Sequence, residues 1–108
     1  MSLLTDAPAP TVVPSQRAEV TVTVTGALDV TTLPRVREQL EQALATRPAG
    51  LAVDLSGCTF VDASALAVLL DVHRRTSRTG GVLTLVGCCP RVLRLLSLTG
   101  LRRVFALA

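Results

Sequence analysis

Residues 51–70 read LAVDLSGCTFVDASALAVLL, and the fold turns on how that stretch divides. Leu51-Ala52-Val53-Asp54-Leu55 is a mostly apolar run that ends at the turn pair Ser56-Gly57. Such a run suits a buried strand covered on both faces. A short loop follows, and a helix begins at Asp62-Ala63-Ser64. Asp62 and Ser64 are both favourable N-cap residues, and residues 65–70 are mostly strong helix formers. The stretch therefore delivers a carboxylate and a hydroxyl to a helix N-terminus. Free N–H groups and a partial positive charge at such an end favour anions, phosphate included.

On the N-terminal side, residues 1–16 hold Pro8, Pro10 and Pro14 among small residues, which predicts a flexible or extended lead-in before a domain at 17–108. Residues 11–15 are short enough for an edge strand, where Pro14 is tolerated. In residues 18–25, Val20, Val22 and Val24 alternate with Thr21, Thr23 and Thr25, the mark of a strand with one apolar face at a mixed edge. Gly26-Ala27-Leu28-Asp29 leaves that strand, and Thr31 or Thr32 can cap the next helix, which tolerates Pro34 in its first turn. Leu33, Val36, Leu40, Ala43 and Leu44 form one face of this helix, and Arg47-Pro48-Ala49-Gly50 ends it.

On the C-terminal side, the central helix extends to Arg78 and breaks at Gly80-Gly81. Residues 82–86, VLTLV, read as a second buried strand. Pro90 opens a third helix that Gly100 closes, and residues 104–107 make a last short strand. Alternating strands and helices give parallel neighbours with right-handed crossovers. The fold class is therefore α/β: a small mixed, mostly parallel sheet with helices packed on it.

At 108 residues this is one domain with one core, built from Leu, Val and Ala because Phe60 and Phe105 are its only aromatics. No apolar run approaches the roughly 20 residues needed to span a bilayer. The first residues lack the basic and apolar regions of a signal peptide, so a cytoplasmic location is expected. The net charge is +3, and every basic residue is an arginine. Stacking aromatics are almost absent, which argues against a single-strand nucleic-acid binder. Cys58, Cys88 and Cys89 form no C-x-x-C pair and His73 is distant in sequence, so no metal site is expected.

No catalytic constellation is visible, and no cofactor fingerprint. His73 lies more than two helical turns beyond Ser64, too far to act as its base. Asp29, Asp54 and Asp62 fall at or just after strand ends, the edge where sites form in open α/β sheets. A phospho-aspartate receiver would also need a lysine, and the chain has none. The simpler roles are capping for Asp62 and local hydrogen bonds for Asp54. The arginines of the last two helices read as solvated faces. The central helix has almost no polar side between 65 and 70. With Leu66, Leu69, Leu70 and His73 toward the sheet, Ala65, Val68 and Val72 project elsewhere and suggest a docking surface.

The turn Gly26-Ala27-Leu28-Asp29, the strand Leu51-Ala52-Val53-Asp54-Leu55 and the motif Phe60-Val61-Asp62-Ala63-Ser64-Ala65-Leu66 together resemble a STAS domain, nearest the bacterial anti-sigma factor antagonists. Leu95-Leu96-Ser97-Leu98-Thr99-Gly100-Leu101 is similar to that family's pattern at the end of its last helix. The resemblance implies a non-enzymatic protein that binds an anti-sigma factor, usually a serine kinase, and so frees a sigma factor. In the family pattern Asp-Ser-Ser/Thr-Gly-Leu, the kinase phosphorylates the serine directly after the aspartate and a phosphatase reverses it. Here that acceptor position holds Ala63, the family glycine is Ala65, and Ser64 matches the second hydroxyl. Adjacent helical residues point about 100° apart, so Ser64 does not simply replace a hydroxyl at 63.

The reading that follows is an anti-sigma factor antagonist that meets its partner through Asp29, Asp62, Ala63, Ser64, Ala65, Val68 and Val72, its phospho-switch lost or moved to Ser64. Two other functions compete with it. One is a STAS accessory subunit of another assembly, such as a lipid transporter. The other is a small arginine-rich nucleic-acid binder.

Overall fold

The computed structural model describes residues 18–108. The lead-in expected at 1–16 and the edge strand expected at 11–15 lie outside the described residues. Strands and helices alternate: β1 Glu19–Leu28, α1 Leu33–Ala45, β2 Gly50–Val61, α2 Ala63–Arg78, β3 Val82–Val86, α3 Pro90–Leu98 and β4 Ala106–Leu107. The strands pair in the order β1-β2-β3-β4. All three pairings among the described residues are parallel. The mixed edge expected at β1 finds no second neighbour among them.

Alternation sets the core. Val22 and Val24 of β1, Leu51, Val53 and Leu55 of β2, and Leu83 and Leu85 of β3 are buried. The residues between them are small or polar: Thr21 and Thr23 are exposed, while Ala52, Asp54 and Thr84 are half-buried. Residues 51–55 are thus covered on one face among the described residues, not on both. The physical reason is topological. Right-handed crossovers that always step the same way along a sheet leave every helix on the same side. Leu28, Leu40, Leu69 and Leu96 complete the buried layer from β1 and the three helices. Each such leucine contributes roughly 1.5–3 kcal/mol by leaving water. Phe105 closes the far side, its ring edge-on to that of His73 at 5.6 Å between centroids.

Two strands run further than their apolar runs suggest. Residues 56–61, expected as turn and loop, belong to β2, because β1 continues beside them with Gly26, Ala27 and Leu28 facing Cys58, Phe60 and Val61. The extension is irregular, with register shifts between Thr23 and Thr25 and between Gly26 and Ala27. The last strand is correspondingly shorter than expected, at Ala106–Leu107. β1 and β2 therefore project past β3 and carry the loops at their ends out to a rim.

Helix α2 packs on the sheet and against α1 at the same time. Across the second contact Arg75 donates to both carboxylate oxygens of Glu41 at 2.7 Å, and to Asp71 at 3.4 Å. These groups are exposed enough that the network contributes at most about 1 kcal/mol. The double contact also buries residues that a lone amphipathic helix would leave in solvent.

Candidate site at the strand ends

Three segments of one chemical pattern stand near the C-terminal ends of strands: Asp29-Val30-Thr31 after β1, Asp54-Leu55-Ser56 within β2 beside the end of β3, and Asp62-Ala63-Ser64 after β2. In each, the hydroxyl two residues on donates to an aspartate oxygen, at 2.6 Å from Thr31, 2.7 Å from Ser56 and 2.7 Å from Ser64. Backbone N–H groups add to this. Thr31 and Thr32 donate to Asp29 Oδ1 at 2.9 and 3.2 Å, and Ser56 donates to Asp54 Oδ1 at 2.9 Å. Each carboxyl is held below the usual aspartate range, first by the neighbouring hydroxyl and next by a backbone N–H. Hydrogen bonds to the charged form favour it, so all three are ionised at neutral pH.

Asp62 does more than the other two. It is the N-cap of α2, with extended backbone at φ −96° and ψ 178°. Its Oδ1 accepts the Ala65 N–H at 2.9 Å as well as the Ser64 hydroxyl. Its Oδ2 accepts the Val30 N–H at 3.1 Å, 32 residues away in sequence. The Asp62 N–H in turn donates to the Leu28 carbonyl at 3.1 Å. One side chain thereby starts a helix and ties the loop after β1 to the loop after β2. Asp29 beside it pushes its pKa the other way, the smallest of the influences upon it.

At α1 the cap differs from expectation. Thr32 stands at the N-cap position but makes no side-chain cap bond. Its hydroxyl donates to the Ala27 carbonyl at 2.8 Å and accepts the Asp29 N–H at 3.0 Å, which folds the loop back on β1. The N–H groups of Thr31 and Thr32 go to Asp29 instead.

Of the residues expected to meet a partner, the structure gathers Asp29, Asp62, Ala63 and Ser64 at this rim. Ala63 and Ser64 are exposed, and Asp29 and Asp62 are half-buried. Ala65, Val68 and Val72 are corrections, because all three lie in the core, with Val68 only 9% exposed and Ala65 fully buried. A helix apolar on two sides is hard to bury all round in a chain this small, but α2 contacts both the sheet and α1. After Ala63 and Ser64, the next exposed residue of α2 is Ala67. Val30 escapes a sequence reading altogether. It is 69% exposed and supplies the rim's one large apolar side chain between the two aspartates. The Asp-x-Thr pattern gave no signal, since Leu55 in the same position of Asp54-Leu55-Ser56 is fully buried.

The chemistry of this rim is limited. Three carboxylates with lowered affinity for protons are weak bases. The Ser64 hydroxyl already donates to one of them. Among the described residues no group of three or more His, Cys, Asp and Glu side chains could hold a metal ion. Cys58 is buried and Cys88 and Cys89 are half-buried, all as free thiols. A shallow depression of about 440 Å³ lies between β1 and α1, but no titratable side chain lines it. Among the described residues no helix is long and apolar enough to cross a membrane. What the rim offers is a fixed, negatively charged, partly apolar surface.

The fold is a singly wound α/β domain with a braced helix tip at the rim of its sheet. The chain is a member of the STAS domain family, which matches residues 9–108. It is similar to the anti-sigma-B factor antagonist of Bacillus subtilis strain 168, with 30% identity over 80% of this chain and 78% of that protein. A similar relation, 30% identity over 82% of this chain and 76% of the relative, holds for the anti-sigma F factor antagonist of Paenibacillus polymyxa. In three dimensions it matches the crystal structure of an anti-sigma factor antagonist from Mycobacterium paratuberculosis. There the TM-score is 0.74 and the identity 29%, covering 82% of this chain and 75% of that one.

Proposed function

We propose that this protein is an anti-sigma factor antagonist: a non-catalytic cytoplasmic protein that binds an anti-sigma factor of the serine-kinase type and so releases a sigma factor. The observation that carries the reading is the Asp62 brace. A carboxylate that accepts from Val30, Ser64 and Ala65 holds two loops and a helix tip rigid at an exposed rim. Rigid presentation lowers the ordering cost of binding a partner. The kinship with anti-sigma-B and anti-sigma F factor antagonists supports the choice of partner.

The phospho-switch is absent in this reading. Ala63, at the position where the resemblance places the acceptor, has no hydroxyl. Ser64 has one, but it donates to Asp62 Oδ1 at 2.7 Å. A phosphate there would set its charge against that carboxylate and break the cap. The complex is then governed by the amounts of the two proteins, and no phosphatase is needed to reset it. The test is titration calorimetry with the purified cognate anti-sigma factor, followed by incubation with ATP and intact-mass spectrometry. Binding that survives ATP, with no added phosphate, and that weakens on Asp62→Lys is the expected result. Stoichiometric phosphate on Ser64 sinks the lost switch, and an absence of binding sinks the partner.

A further inference from the structure

Every one of the eight acidic residues lies at or before Asp71, while seven of the eleven arginines lie after it. Two of those seven, Arg91 and Arg94, stand on α3 beside a groove of about 310 Å³. Its other walls are Phe60 and Val61 at the end of β2, and Val92, Leu95 and Leu98 of α3. Two of these apolar side chains are open to solvent, Phe60 at 42% and Leu98 at 77% exposed, over a floor of buried Val61 and Val92. Neither Arg91 nor Arg94 makes an ion pair or side-chain hydrogen bond among the described residues. The positions 91, 94, 95 and 98 follow one helical stripe, so the two charges and the two leucines face the same way.

We infer that this groove, which adjoins the Asp62 rim at Val61, is a second docking surface, for an acidic amphipathic protein segment. Charge selects the class of occupant. The groove is lined by Arg91 and Arg94, and no carboxylate is among its lining residues. The floor selects the form. Exposed apolar side chains bordered by charge mark an interaction site, and Phe, Leu and Arg together suit a buried anchor with a charged surround. α3 has nine residues, about 13 Å at 1.5 Å per residue. That length matches two to three turns of a partner helix, which places anchors at i, i+3 or i+4, and i+7 into such a groove. A nucleic acid would find phosphate partners but only one aromatic to stack on, and the leucines would gain nothing from its bases. The groove shares no lining residue with the Asp62 rim beside it, and the inference stands whether or not that rim takes an anti-sigma factor.

The experiment is amide chemical-shift mapping on the full 15N-labelled chain with defined probes. The first is a synthetic helix of about 16 residues with Leu at the anchor spacing and Glu elsewhere. The others are the same helix with Lys for Glu, the same helix with Ser for Leu, and an oligothymidylate. The Glu/Leu helix is expected to shift the amides of Phe60 and of residues 91–98 saturably, and the Lys helix is not. Affinity should fall about tenfold in an Arg91→Glu, Arg94→Glu double variant, and also in Leu98→Ser. Both variants alter exposed positions, and their own spectra report whether the fold is intact. The inference is overturned if the Glu/Leu helix gives no saturable shift there, or if the shifts fall elsewhere. It is also overturned if the Ser version binds equally well, which reduces the surface to bare charge, or if the oligothymidylate binds more tightly, which makes it a nucleic-acid surface.

Discussion

Asp54 and Asp62 look alike in sequence, and their immediate contacts are alike in space. Each is followed two residues later by a serine whose hydroxyl donates to Oδ1 at 2.7 Å. Each is held ionised by that bond first. They differ in what else the carboxylate reaches. Asp54 serves its own segment through the Ser56 N–H. Asp62 caps a 16-residue helix and reaches across the sheet to Val30. The same tripeptide pattern is a local link within a strand at one place and a structural brace at another. Position on the sheet decides: Asp54 lies opposite Val86, the last residue of β3, whereas Asp62 follows Val61, whose neighbour Leu28 ends β1.

The contrast can be broken or sharpened by measurement. The largest effect is expected from Val68→Glu, which sets a ceiling for the loop variants. That side chain is buried in the core that α2 brings to the sheet. An unpaired charge there should cost on the order of 4 kcal/mol or more, a large part of the stability of a domain this size. Loss of the cooperative urea transition is the expected outcome, and a well-folded variant would return Val68 to the surface. Next comes Asp62→Ala, which should lower the melting temperature by several degrees, as the loss of a cap does. Asp54→Ala should lower it clearly less, and equal losses for the two would dissolve the comparison.

Acid gives the third test. Both carboxyls have lowered pKa values, so their contribution is fully present above the ordinary aspartate value of 3.8 and is lost as pH falls through the folded values below it. Asp62→Asn should flatten the acid limb of a stability profile more than Asp54→Asn does. The smallest signal is kinetic. Cys58 lies between the two segments, buried, with its thiol donating to the Phe60 carbonyl at 3.3 Å, and burial pushes its pKa up. Its alkylation, followed by peptide mass mapping, should be slow in the parent. It should quicken in Asp62→Ala before it does in Asp54→Ala, because the brace closes the segment beyond it.

Most of the architecture was legible because it rests on local signals. The Val/Thr alternation of β1, Gly80-Gly81 after α2 and Pro90 before α3 each announce an element within a few residues. Asp62 as a cap belongs with them. The misreadings share a cause, which is packing from a distance. Whether Val68 and Val72 face water depends on α1, whose contact with α2 no periodicity within α2 reveals. The length of β2 depends on β1 staying beside it through irregular pairing. Val30 acquires its place at the rim from a bond to a residue 32 positions away. The groove beside α3 was legible only as scattered arginines, because Phe60 comes to it from a different element.

The register shifts in β1 have a consequence for how such a protein changes over generations. They fall between Thr23 and Leu28, beyond the in-step pairs that carry Val22 and Val53. A ladder that already slips there can absorb a gained or lost residue without reorienting Val22, Leu51 and Val53, which fill the interior before the shifts. The loop end of the sheet is thus mechanically insulated from that part of the scaffold, and a lineage can lengthen or trim a loop there while the foundation stays untouched.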